Sequence, residues 1–358
     1  MPLENMVKIN NTKFKNKKIL IIGNTGFVGS WLTITLNLLR ANVLGLSLKM
    51  KDKKYISNSK EYKKNINTIY TDIRNLTSSF KKIKKFKPEI VFHLASQPLV
   101  IESYLDIKNT FEINVLGTVE IFKKLSKIKS IKQIIVFTSD KVYKNSESFF
   151  LNESSPLGGL DPYSSSKSCQ DIISASFFNS IFNKRINMCI VRSGNLIGGG
   201  DWAKHRLIPD FFKSIMMKKK LVIRNPKAVR PWLHILDLIN GMLKIIIKRK
   251  KIGTKSVFPI NFAPNKKSHI SVSKIINKIN KINNKGQIKF IKKRSSHYES
   301  KVLLLSALKA KKELNWKPLL KIDKSLELTS NYYNAFIKKK ANTYKITSDQ
   351  IKNFFIIS

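Results

Sequence analysis

Three glycines between a short apolar run and a longer helical segment constrain the fold of this 358-residue chain most strongly. The run Lys18–Ile22 has the length and continuous apolarity of a strand that is buried on both faces. Gly23, Gly26 and Gly29 follow it, and a helix is predicted over residues 30–40. Glycines at this spacing permit a tight turn and let a pyrophosphate approach the helix N-terminus. The stretch therefore predicts the first strand, turn and helix of a dinucleotide-binding unit.

Strands and helices continue to alternate along the first half of the chain. The next predicted strands are residues 42–46, 69–73, 90–95, 133–137 and 187–191. Two further helices are predicted at residues 109–126 and 163–183. Alternating strands and helices form right-handed βαβ units around an open parallel sheet. The fold class is therefore predicted to be α/β, a Rossmann-type doubly wound parallel sheet.

The pattern changes after residue 192, and the chain is divided there. Glycine- and proline-containing loops appear, a helix is predicted at residues 208–218, and later apolar segments are shorter and interleaved with lysine. Residues 1–192 are predicted to form the dinucleotide-binding Rossmann domain, and residues 193–358 a smaller mixed α/β C-terminal substrate domain. No linker marks this boundary, so C-terminal segments are free to return to the sheet. The polar residues 1–16 are predicted to form a loose arm.

The net charge of +46, from 68 Lys and Arg against 22 Asp and Glu, is the unusual feature of the composition. It raises a function of a different class, a non-catalytic polyanion-binding protein, which salt-dependent retention on DNA would test. However, the lysines are scattered with isoleucine and asparagine along the whole chain. This distribution favours a general compositional bias, and no nucleic-acid partner is predicted.

Three features of the sequence indicate the cellular compartment and whether a metal site is present: the cysteines, the histidines and one uncharged stretch. Cys169 and Cys189 give no disulfide framework, which favours a reducing compartment, and both are expected in the core. The five histidines lack metal-ligand spacing, so no metal is predicted. Residues 19–39 imitate a signal peptide or membrane span, but glycine and polar residues interrupt them. A cytoplasmic protein without a membrane partner is therefore predicted.

The predicted cofactor site is built from the glycine turn and the ends of the following strands. The acidic residue that would bind a ribose 2′-hydroxyl, about 20 residues after the glycines, is missing, and Ser47, Leu48 and Lys49 stand there instead. Since a lysine can also meet a 2′-phosphate, NAD is predicted and NADP is left open. Asp72 and Ile73 are placed to hold an adenine ring. The predicted cofactor-binding residues are Gly23, Thr25, Gly26, Phe27, Val28, Gly29, Asp72, Ile73, Leu94, Ala95, Ser96, Tyr163 and Lys167.

Side chains that can transfer protons are concentrated between positions 139 and 167. Ser139, Asp140 and Lys141 follow the fifth predicted strand. Tyr163 and Lys167 lie four residues apart on a predicted helix, so their Cβ atoms are about 5–6 Å apart. An ammonium group at that distance favours the tyrosinate and lowers the tyrosine pKa, which makes the phenol more useful as a base. The cluster therefore predicts a catalytic centre.

The glycine turn, the serine and the Tyr-x-x-x-Lys pair together resemble the extended short-chain dehydrogenase/reductase superfamily over most of the chain. Within it, the Asp140-Lys141 pair and several longer stretches are similar to the CDP-glucose 4,6-dehydratase family. These stretches are residues 93–100, 138–143, 194–202, 223–232, 297–299 and 314–318. The resemblance implies a hydro-lyase that converts CDP-D-glucose to CDP-4-dehydro-6-deoxy-D-glucose and water, for deoxysugar and O-antigen synthesis.

The resemblance also implies a role for each catalytic residue. Ser139 would hydrogen-bond the sugar O4, Tyr163 would take its proton, and Lys167 would hold the nicotinamide ribose and the tyrosinate. Asp140 would be the acid for the departing C6 hydroxyl, and Lys141 the C5 base or its helper. Arginines would match the substrate pyrophosphate. The implied substrate-binding residues are Gln97, Ser103, Asn195, Arg206, Leu207, Arg224 and Arg230.

Other functions remain open alongside this resemblance. The same dehydration could act on a dTDP-, UDP- or GDP-linked sugar, although dTDP-glucose relatives are expected to carry Glu in place of Lys141. An epimerase or reductase is a further alternative, and Asp140-Lys141 argues against it. Ile101-Glu102 stand where basic residues are usual in the family, which bears on the fit of the substrate. A homodimer is implied, with the helices at residues 109–126 and 163–183 packing across it.

Overall fold

The computed structural model describes residues 7–144, 149–249, 256–291, 298, 300–339 and 342–357. Residues 1–6 of the predicted arm, and 297 and 299 of one family-like stretch, lie outside the described residues. The strands within the described part are β1 (Val7–Ile9), β2 (Lys18–Ile22), β3 (Asn42–Ser47), β4 (Asn67–Tyr70), β5 (Ile90–His93), β6 (Gln133–Phe137), β7 (Asn187–Ser193), β8 (Leu196–Ile197), β9 (Leu221–Ile223), β10 (Val229–Pro231), β11 (Leu233–His234), β12 (Phe258–Phe262), β13 (His269–Ser271), β14 (Ile288–Phe290) and β15 (Phe355–Ile357).

Helices connect most of these strands. The α-helices of the described part are α1 (Phe27–Leu38), α2 (Lys60–Asn65), α3 (Thr77–Phe86), α4 (Val100–Leu105), α5 (Ile107–Phe111), α6 (Gly117–Leu125), α7 (Pro162–Ser180), α8 (Leu207–Met216), α9 (Ile235–Arg249), α10 (Val272–Asn283), α11 (Leu308–Leu314), α12 (Ile322–Ile337) and α13 (Thr343–Phe354). A π-helical turn, Glu112–Leu116, joins α5 to α6. Short 3₁₀ turns are Asn11–Lys13, Ile56–Asn58, Asp140–Val142 and Lys266–Ser268. None of the helices described is long and apolar enough to cross a membrane.

Seven strands form one sheet in the order β4–β3–β2–β5–β6–β7–β12. Every pairing in this sheet is parallel. The strand order changes direction at β2, which lies between β3 and β5. Ligands of open parallel sheets bind at such a switch point, outside the carboxyl ends of the strands. The predicted doubly wound α/β fold is confirmed, and its geometry directs attention to the loops after β2, β5 and β6.

Both faces of the sheet are covered by helices. Along β2, Ile19 and Ile21 pack into one apolar cluster, whereas Leu20 and Ile22 pack into another. Successive side chains of a strand point to opposite faces, so these two clusters are the two layers of the core. The first layer includes residues of α1, α9 and α12, and the second includes residues of α6 and α7. This two-sided burial explains why the sequence of the strand is uniformly apolar.

The helix predicted at residues 109–126 is confirmed as a helical stretch over residues 107–125, but it is not α-helical throughout. The structure divides it into α5, the π-helical turn and α6. Asn114 in the π-helical turn accepts a hydrogen bond from the backbone N–H of Gln97 at 2.7 Å. Its amide nitrogen donates to Ser166 Oγ at 2.9 Å. The π-helical turn thus carries a side chain that connects the loop after β5 to helix α7.

The two ends of the chain also differ from the prediction. Strand β1 pairs in parallel with β15, and Phe14 is fully buried, so the loose-arm prediction is wrong for the described residues 7–14. Strand β12 returns to the main sheet beside β7, as the soft domain boundary allowed. The remaining C-terminal strands form short pairs, β8 with β11, β9 with β14 and β10 with β13. The assignment of residues 193–358 to substrate binding stays a prediction.

Candidate active site

The turn between β2 and α1 holds the backbone in a form that glycine alone suits. Gly23 has φ +95°, and a Cβ there would lie 2.7 Å from the backbone nitrogen of Ala95. A Cβ on Gly29 would collide with the carbonyl oxygen of Gly23, so this glycine lets the helix approach the strand. Gly26 differs, since the only neighbour of its Cβ would be the Gly23 oxygen at an ordinary 3.5 Å. The protein therefore leaves space at Gly26.

This turn fits the pyrophosphate of a dinucleotide. Helix α1 spans twelve residues, and Gly26 at its N-cap offers no side-chain hydrogen bond to the free backbone N–H groups. No acidic residue lies in its first turn. Unsatisfied N–H groups and the positive end of the helix dipole attract phosphate. Phe27 and Val28 begin the helix, while Leu94 and Ala95, just after β5, border the turn. Ser96 follows them in the chain.

The outer end of the predicted cofactor site is lined by hydroxyl groups and an ion pair. Thr25 Oγ1 lies 2.6 Å from Ser47 Oγ and donates to the carbonyl oxygen of Leu48 at 2.9 Å. Asp72 accepts two hydrogen bonds from the Arg74 guanidinium, at 3.0 and 2.7 Å. Ile73 is buried against α6. The carboxylate predicted to meet adenine is therefore already paired, and its contact with adenine stays a prediction.

The chemical centre begins where β6 ends. Ser139 is the N-cap of the 3₁₀ turn Asp140–Val142 and accepts the backbone N–H of Lys141 at 3.2 Å. Its hydroxyl donates to Asp140 Oδ1 at 3.1 Å. The other carboxyl oxygen of Asp140, Oδ2, is buried and lacks a hydrogen-bond partner among the described residues. Burial raises the pKa of Asp140, while Lys141, Ser139 and Arg230 act in the opposite direction.

The surroundings of Asp140 leave no room for a larger neighbour. A Cβ on Gly194, at the end of β7, would collide with Asp140 Oδ2 and lie 2.8 Å from Pro231 Cγ. Lys141 is half-buried. A buried carboxyl with a raised pKa is suited to donate a proton rather than to hold a charge.

Tyr163 lies at the start of α7, one residue after Pro162. The N-cap residue Asp161 accepts the backbone N–H of Ser164 at 2.9 Å and fixes the start of the helix. Burial raises the pKa of Tyr163 to about 12, against the effects of a hydrogen bond to Ser139 and the charge of Arg206. Arg206 itself pairs with Asp201 at 2.9 Å. The structure thus brings Ser139, Tyr163 and Arg206 into one polar site.

The Lys167 amine does not point as the Tyr-x-x-x-Lys spacing predicted. Its ammonium nitrogen donates to the carbonyl oxygen of Phe137 at 3.1 Å and to Gln170 Oε1 at 2.5 Å. Burial lowers the pKa of Lys167 to about 7, against the charge of Asp171. The prediction that this lysine lowers the pKa of Tyr163 is therefore wrong for this structure, in which burial raises it. Helical spacing predicted that Tyr163 and Lys167 share one face of the helix, but it did not predict the direction of the lysine amine.

Two predicted substrate contacts are occupied by internal hydrogen bonds. Ser103 is fully buried, and its hydroxyl donates to the Val100 carbonyl at 2.6 Å and accepts from the Tyr163 backbone at 3.1 Å. Gln97 donates to the Leu99 carbonyl and to Thr110, and its oxygen accepts the Leu99 N–H. Ser103 therefore supports the start of α7 and Gln97 shapes the loop after β5, and the contact of each with substrate stays a prediction.

The other predicted substrate residues lie in the C-terminal part of the chain. Arg230, on β10, is 4% exposed and donates to the Val229 carbonyl at 2.8 Å, while its charge acts on Asp140. Asn195 is half-buried between β7 and β8. Leu207 begins α8 and is half-buried, and Arg224 is exposed just after β9. Of the arginines predicted to bind substrate, Arg206 and Arg230 thus reach the chemical centre.

Several polar residues at the centre were missed by the sequence analysis. Asp171 and Arg192 form a buried bidentate pair with both N–O distances at 2.8 Å. His93, Thr118 and Gln170 surround the lysine from the other side. The Asp-Pro start of α7 was a readable capping signal. The other contacts join residues far apart in the chain and carry no local signal.

No group of His, Cys, Asp and Glu in the described ranges could hold a metal ion. Cys189 is buried as expected, but Cys169 is only half-buried, so the prediction that both lie in the core is wrong for Cys169. His93 is fully buried, and burial lowers its pKa to about 3. It therefore stays neutral at ordinary pH.

The sequence is similar to those of known proteins. The sequence model of the GDP-mannose 4,6 dehydratase family matches residues 20–329. The CDP-glucose 4,6-dehydratase of Salmonella typhimurium is 33% identical over 337 residues, which are 92% of this chain and 94% of the relative. The dTDP-D-glucose 4,6-dehydratase of Dictyostelium discoideum is 29% identical over 66% of this chain and 57% of the relative.

Solved structures repeat the fold. An epimerase from Methanothermobacter thermautotrophicus superposes with a TM-score of 0.80 at 23% identity, covering 92% of this chain and 96% of that one. A dTDP-glucose 4,6-dehydratase from Bacillus anthracis in complex with NAD has a TM-score of 0.74 at 21% identity, with coverages of 88% and 96%. Since the family model spans most of the chain and the Salmonella relative is covered almost completely, the chain belongs to the GDP-mannose 4,6 dehydratase family, within the NAD-dependent epimerase/dehydratase superfamily.

Proposed function

We propose that this protein is a nucleotide-sugar 4,6-dehydratase that converts CDP-D-glucose to CDP-4-dehydro-6-deoxy-D-glucose and water, with NAD retained between turnovers. One observation carries the chemistry. Asp140 is a buried carboxyl with a raised pKa, one free oxygen and a hydrogen bond from Ser139, beside the tyrosine of a dehydrogenase-like centre. An enzyme that only oxidises or epimerises C4 does not need this acid. The 33% identical relative supports the CDP-glucose substrate.

The cofactor is held at the glycine turn in this proposal. Gly26 and the first backbone N–H groups of α1 bind the pyrophosphate, and Thr25 and Ser47 lie towards the adenosine ribose. Bound there, NAD would supply the hydride chemistry, as the acceptor of a hydride from C4 of the sugar and the donor of a hydride to C6. NAD complexes of proteins with this fold support the cofactor. NADP remains the alternative, which direct binding of the two nucleotides would decide.

Oxidation at C4 needs a base and a fixed hydroxyl. Ser139 binds the sugar O4, and Tyr163 accepts the O4 proton as the C4–H bond breaks. A phenol with a pKa of about 12 is almost completely protonated at neutral pH, so little tyrosinate is present to accept a proton. The cationic groups Arg206 and Lys167 therefore have to stabilise the tyrosinate when substrate and cofactor are in place.

Elimination then removes water across C5 and C6. The C5 proton, acidified by the C4 ketone, leaves to a base, for which Lys141 or a group that it assists is proposed. The electron pair of that C–H bond forms the C5–C6 double bond, and the C6–O bond breaks as Asp140 donates its proton to the departing hydroxyl. The atoms balance with the loss of one water. With the hydride that NAD would supply at C6, a proton returned to C5 would complete the product.

Substrate phosphates are assigned to arginine. Arg206 is half-buried beside Tyr163, and Arg230 is buried near Asp140. Guanidinium groups bind phosphate through two parallel hydrogen bonds. Asn195, Leu207 and Arg224 complete the proposed contacts, with Arg224 at the exposed edge.

A substrate panel tests this function. Purified protein is supplied with CDP-, dTDP-, UDP- and GDP-linked hexoses, and the products are followed by mass spectrometry and by the absorbance of the 4-keto sugar in base. The expected result is loss of one water from CDP-glucose without net formation of NADH. Turnover of another sugar nucleotide with CDP-glucose untouched would disprove the nucleotide assignment. Conversion of a hexose to its C4 epimer without loss of mass would disprove the dehydratase assignment.

A homodimer is proposed as the working assembly. The helices named for it carry exposed apolar side chains, with Ile107 52%, Leu116 59% and Ile172 55% exposed. These residues belong to α5, the π-helical turn and α7, which lie against one another. Sedimentation of the wild type and of a Leu116→Lys variant tests the assembly. The cytoplasm is proposed as the compartment, since Cys169 and Cys189 suit a reducing one.

A further inference from the structure

A buried polar cluster lies behind the catalytic lysine. His93 on β5, Thr118 on α6 and Gln170 on α7 have fully buried side chains. Gln170 Nε2 lies 3.0 Å from Thr118 Oγ1 and 3.3 Å from His93 Nε2. On its other side, Gln170 Oε1 accepts a hydrogen bond from Lys167 Nζ. Nothing in the proposed chemistry uses these three residues directly.

The hydrogen bonds fix which way the glutamine amide points. Thr118 donates its hydroxyl hydrogen to the Asn114 carbonyl at 2.7 Å, so its oxygen can only accept from Gln170. The amide NH₂ of Gln170 must therefore face Thr118, and its carbonyl oxygen must face Lys167. His93 stays neutral because burial lowers its pKa to about 3, so it adds no charge that would repel the lysine. Threonine and histidine thus orient the acceptor that Lys167 meets.

The lysine amine has three donors when it is protonated. Phe137 O and Gln170 Oε1 take two of them, at 3.1 and 2.5 Å. One donor remains for Tyr163 or for a hydroxyl of a bound ligand. Without Gln170, a buried amine would lose an acceptor that no water can replace, and its charged form would become less favourable.

We propose that Gln170 is a positioning residue for Lys167, oriented by Thr118 and His93 so that its side-chain oxygen fixes the amine and leaves one N–H for the reaction. This inference rests on the proposed function, because it assigns Lys167 a role in cofactor binding and tyrosine activation. The titratable groups that act on the amine are Asp171, whose partner is Arg192 on β7, and His93 on β5. Tyr163 lies one turn earlier on α7, and Asp140 and Lys141 lie on the 3₁₀ turn that packs against this helix.

Two substitutions at one position separate positioning from packing. Gln170→Met keeps the length of the side chain and removes the acceptor, whereas Gln170→Glu keeps an acceptor and adds a negative charge. Ser174→Ala, one turn further along α7, is the matched control, because it removes a buried hydrogen bond to the Gln170 backbone at 2.7 Å without contact to Lys167. Thr118→Val tests the same inference if Gln170→Met does not fold.

The measurements are NAD affinity by calorimetry without substrate, and the pH profile of kcat/KM for CDP-glucose. For Gln170→Met we expect NAD to bind about tenfold more weakly, a change of ~1.4 kcal/mol. The limb of the profile that falls at high pH should move to lower pH. In Gln170→Glu the same limb should move to higher pH, because a carboxylate favours the ammonium form. Thr118→Val should follow Gln170→Met.

The outcomes distinguish this inference from the function on which it rests. If Gln170→Met and Gln170→Glu keep the wild-type NAD affinity and pH profile, or change only as Ser174→Ala does, the positioning role is overturned. If the wild type itself neither binds NAD nor converts CDP-glucose, the proposed function has failed, and the inference fails with it. Opposite displacements of the two profiles support the inference.

Discussion

Two aspartates that are buried to nearly the same degree, Asp140 on the 3₁₀ turn after β6 and Asp171 on helix α7, are treated by the protein in opposite ways. Asp140 is 2% exposed and Asp171 is 3% exposed. Asp171 accepts two hydrogen bonds from Arg192 at 2.8 Å each. Asp140 accepts one from Ser139 at 3.1 Å, and its second oxygen has no partner among the residues described. Both carboxyl groups are buried, so the difference between them lies in their hydrogen-bond partners.

The comparison shows how one residue type supplies either a fixed charge or a transferable proton. A guanidinium that pairs with both oxygens compensates the loss of solvent around Asp171, and the pair is structural. Asp140 has charged neighbours in Lys141 and Arg230, but burial outweighs them and raises its pKa. A group in this state can give a proton to a leaving hydroxyl. The hydrogen-bond partners, more than the burial, distinguish the proposed acid Asp140 from Asp171.

Removing the acid should give the largest effect. Asp140→Asn keeps the shape but cannot donate a proton as an acid, so we expect water loss to slow by roughly 10²–10⁴-fold, the usual contribution of general acid catalysis. Oxidation at C4 should continue, because Ser139 and Tyr163 remain. Single-turnover nicotinamide absorbance should then show reduced cofactor accumulating. Tyr163→Phe is the counterpart, and it should abolish the absorbance change. Equal loss of both steps in both variants would contradict this division of roles.

Breaking the structural pair should act on stability. Arg192→Met leaves Asp171 buried and unpaired, which typically costs about 3–5 kcal/mol of the free energy of unfolding. The double variant Arg192→Met with Asp171→Leu should recover most of the loss, since neither charge remains. Urea unfolding followed by circular dichroism measures both. If Arg192→Met is as stable as the wild type, the Arg192–Asp171 pair does not stabilise the fold.

Crowding the acid should have a smaller effect. A methyl group at position 194 would collide with Asp140 Oδ2, so Gly194→Ala must displace the carboxyl group. Overpacking of this kind costs about 1–3 kcal/mol. We expect elimination to slow by roughly tenfold, which corresponds to 1.36 kcal/mol in the barrier, with C4 oxidation less affected. Product formation at the wild-type rate would argue against the placement of Asp140.

The smallest expected effect is the dependence of stability on pH. Because the pKa of Asp140 is raised in the folded protein, the folded state binds its proton more tightly than the unfolded chain does. The stability that this proton provides is complete below the unfolded pKa and is lost as pH rises through the folded pKa. Asp140→Asn should therefore be more stable than the wild type at pH 7, by up to about 1 kcal/mol. The difference should vanish in acid. An Asn variant that is less stable at pH 7 would contradict this sign.

Strand positions and the glycine turn were predictable because they depend on neighbours in the chain. Strand β6 spans the predicted residues, and β2 ends at the glycine that its turn requires. The start of α1 was placed three residues late, since Phe27 and Val28 read as part of the turn, whereas Gly26 already acts as the N-cap. The π-helical turn before α6 was not predicted, because Asn114 in that turn forms hydrogen bonds with partners that are distant in the chain.

The sequence by itself determined the α/β fold, the dinucleotide turn and the identity of the five proton-handling residues between positions 139 and 167. Local periodicity, glycine spacing and motif order carry that information. Only the tertiary structure decided that Ser103 and Gln97 are used internally, that Lys167 turns to Gln170, and that Asp140 lacks the partner that Asp171 has. These facts depend on contacts between residues that are separated in the chain, such as Ser103 with Tyr163 and Gln97 with Thr110, or on the direction of a side chain. The spacing of residues along a chain fixes neither.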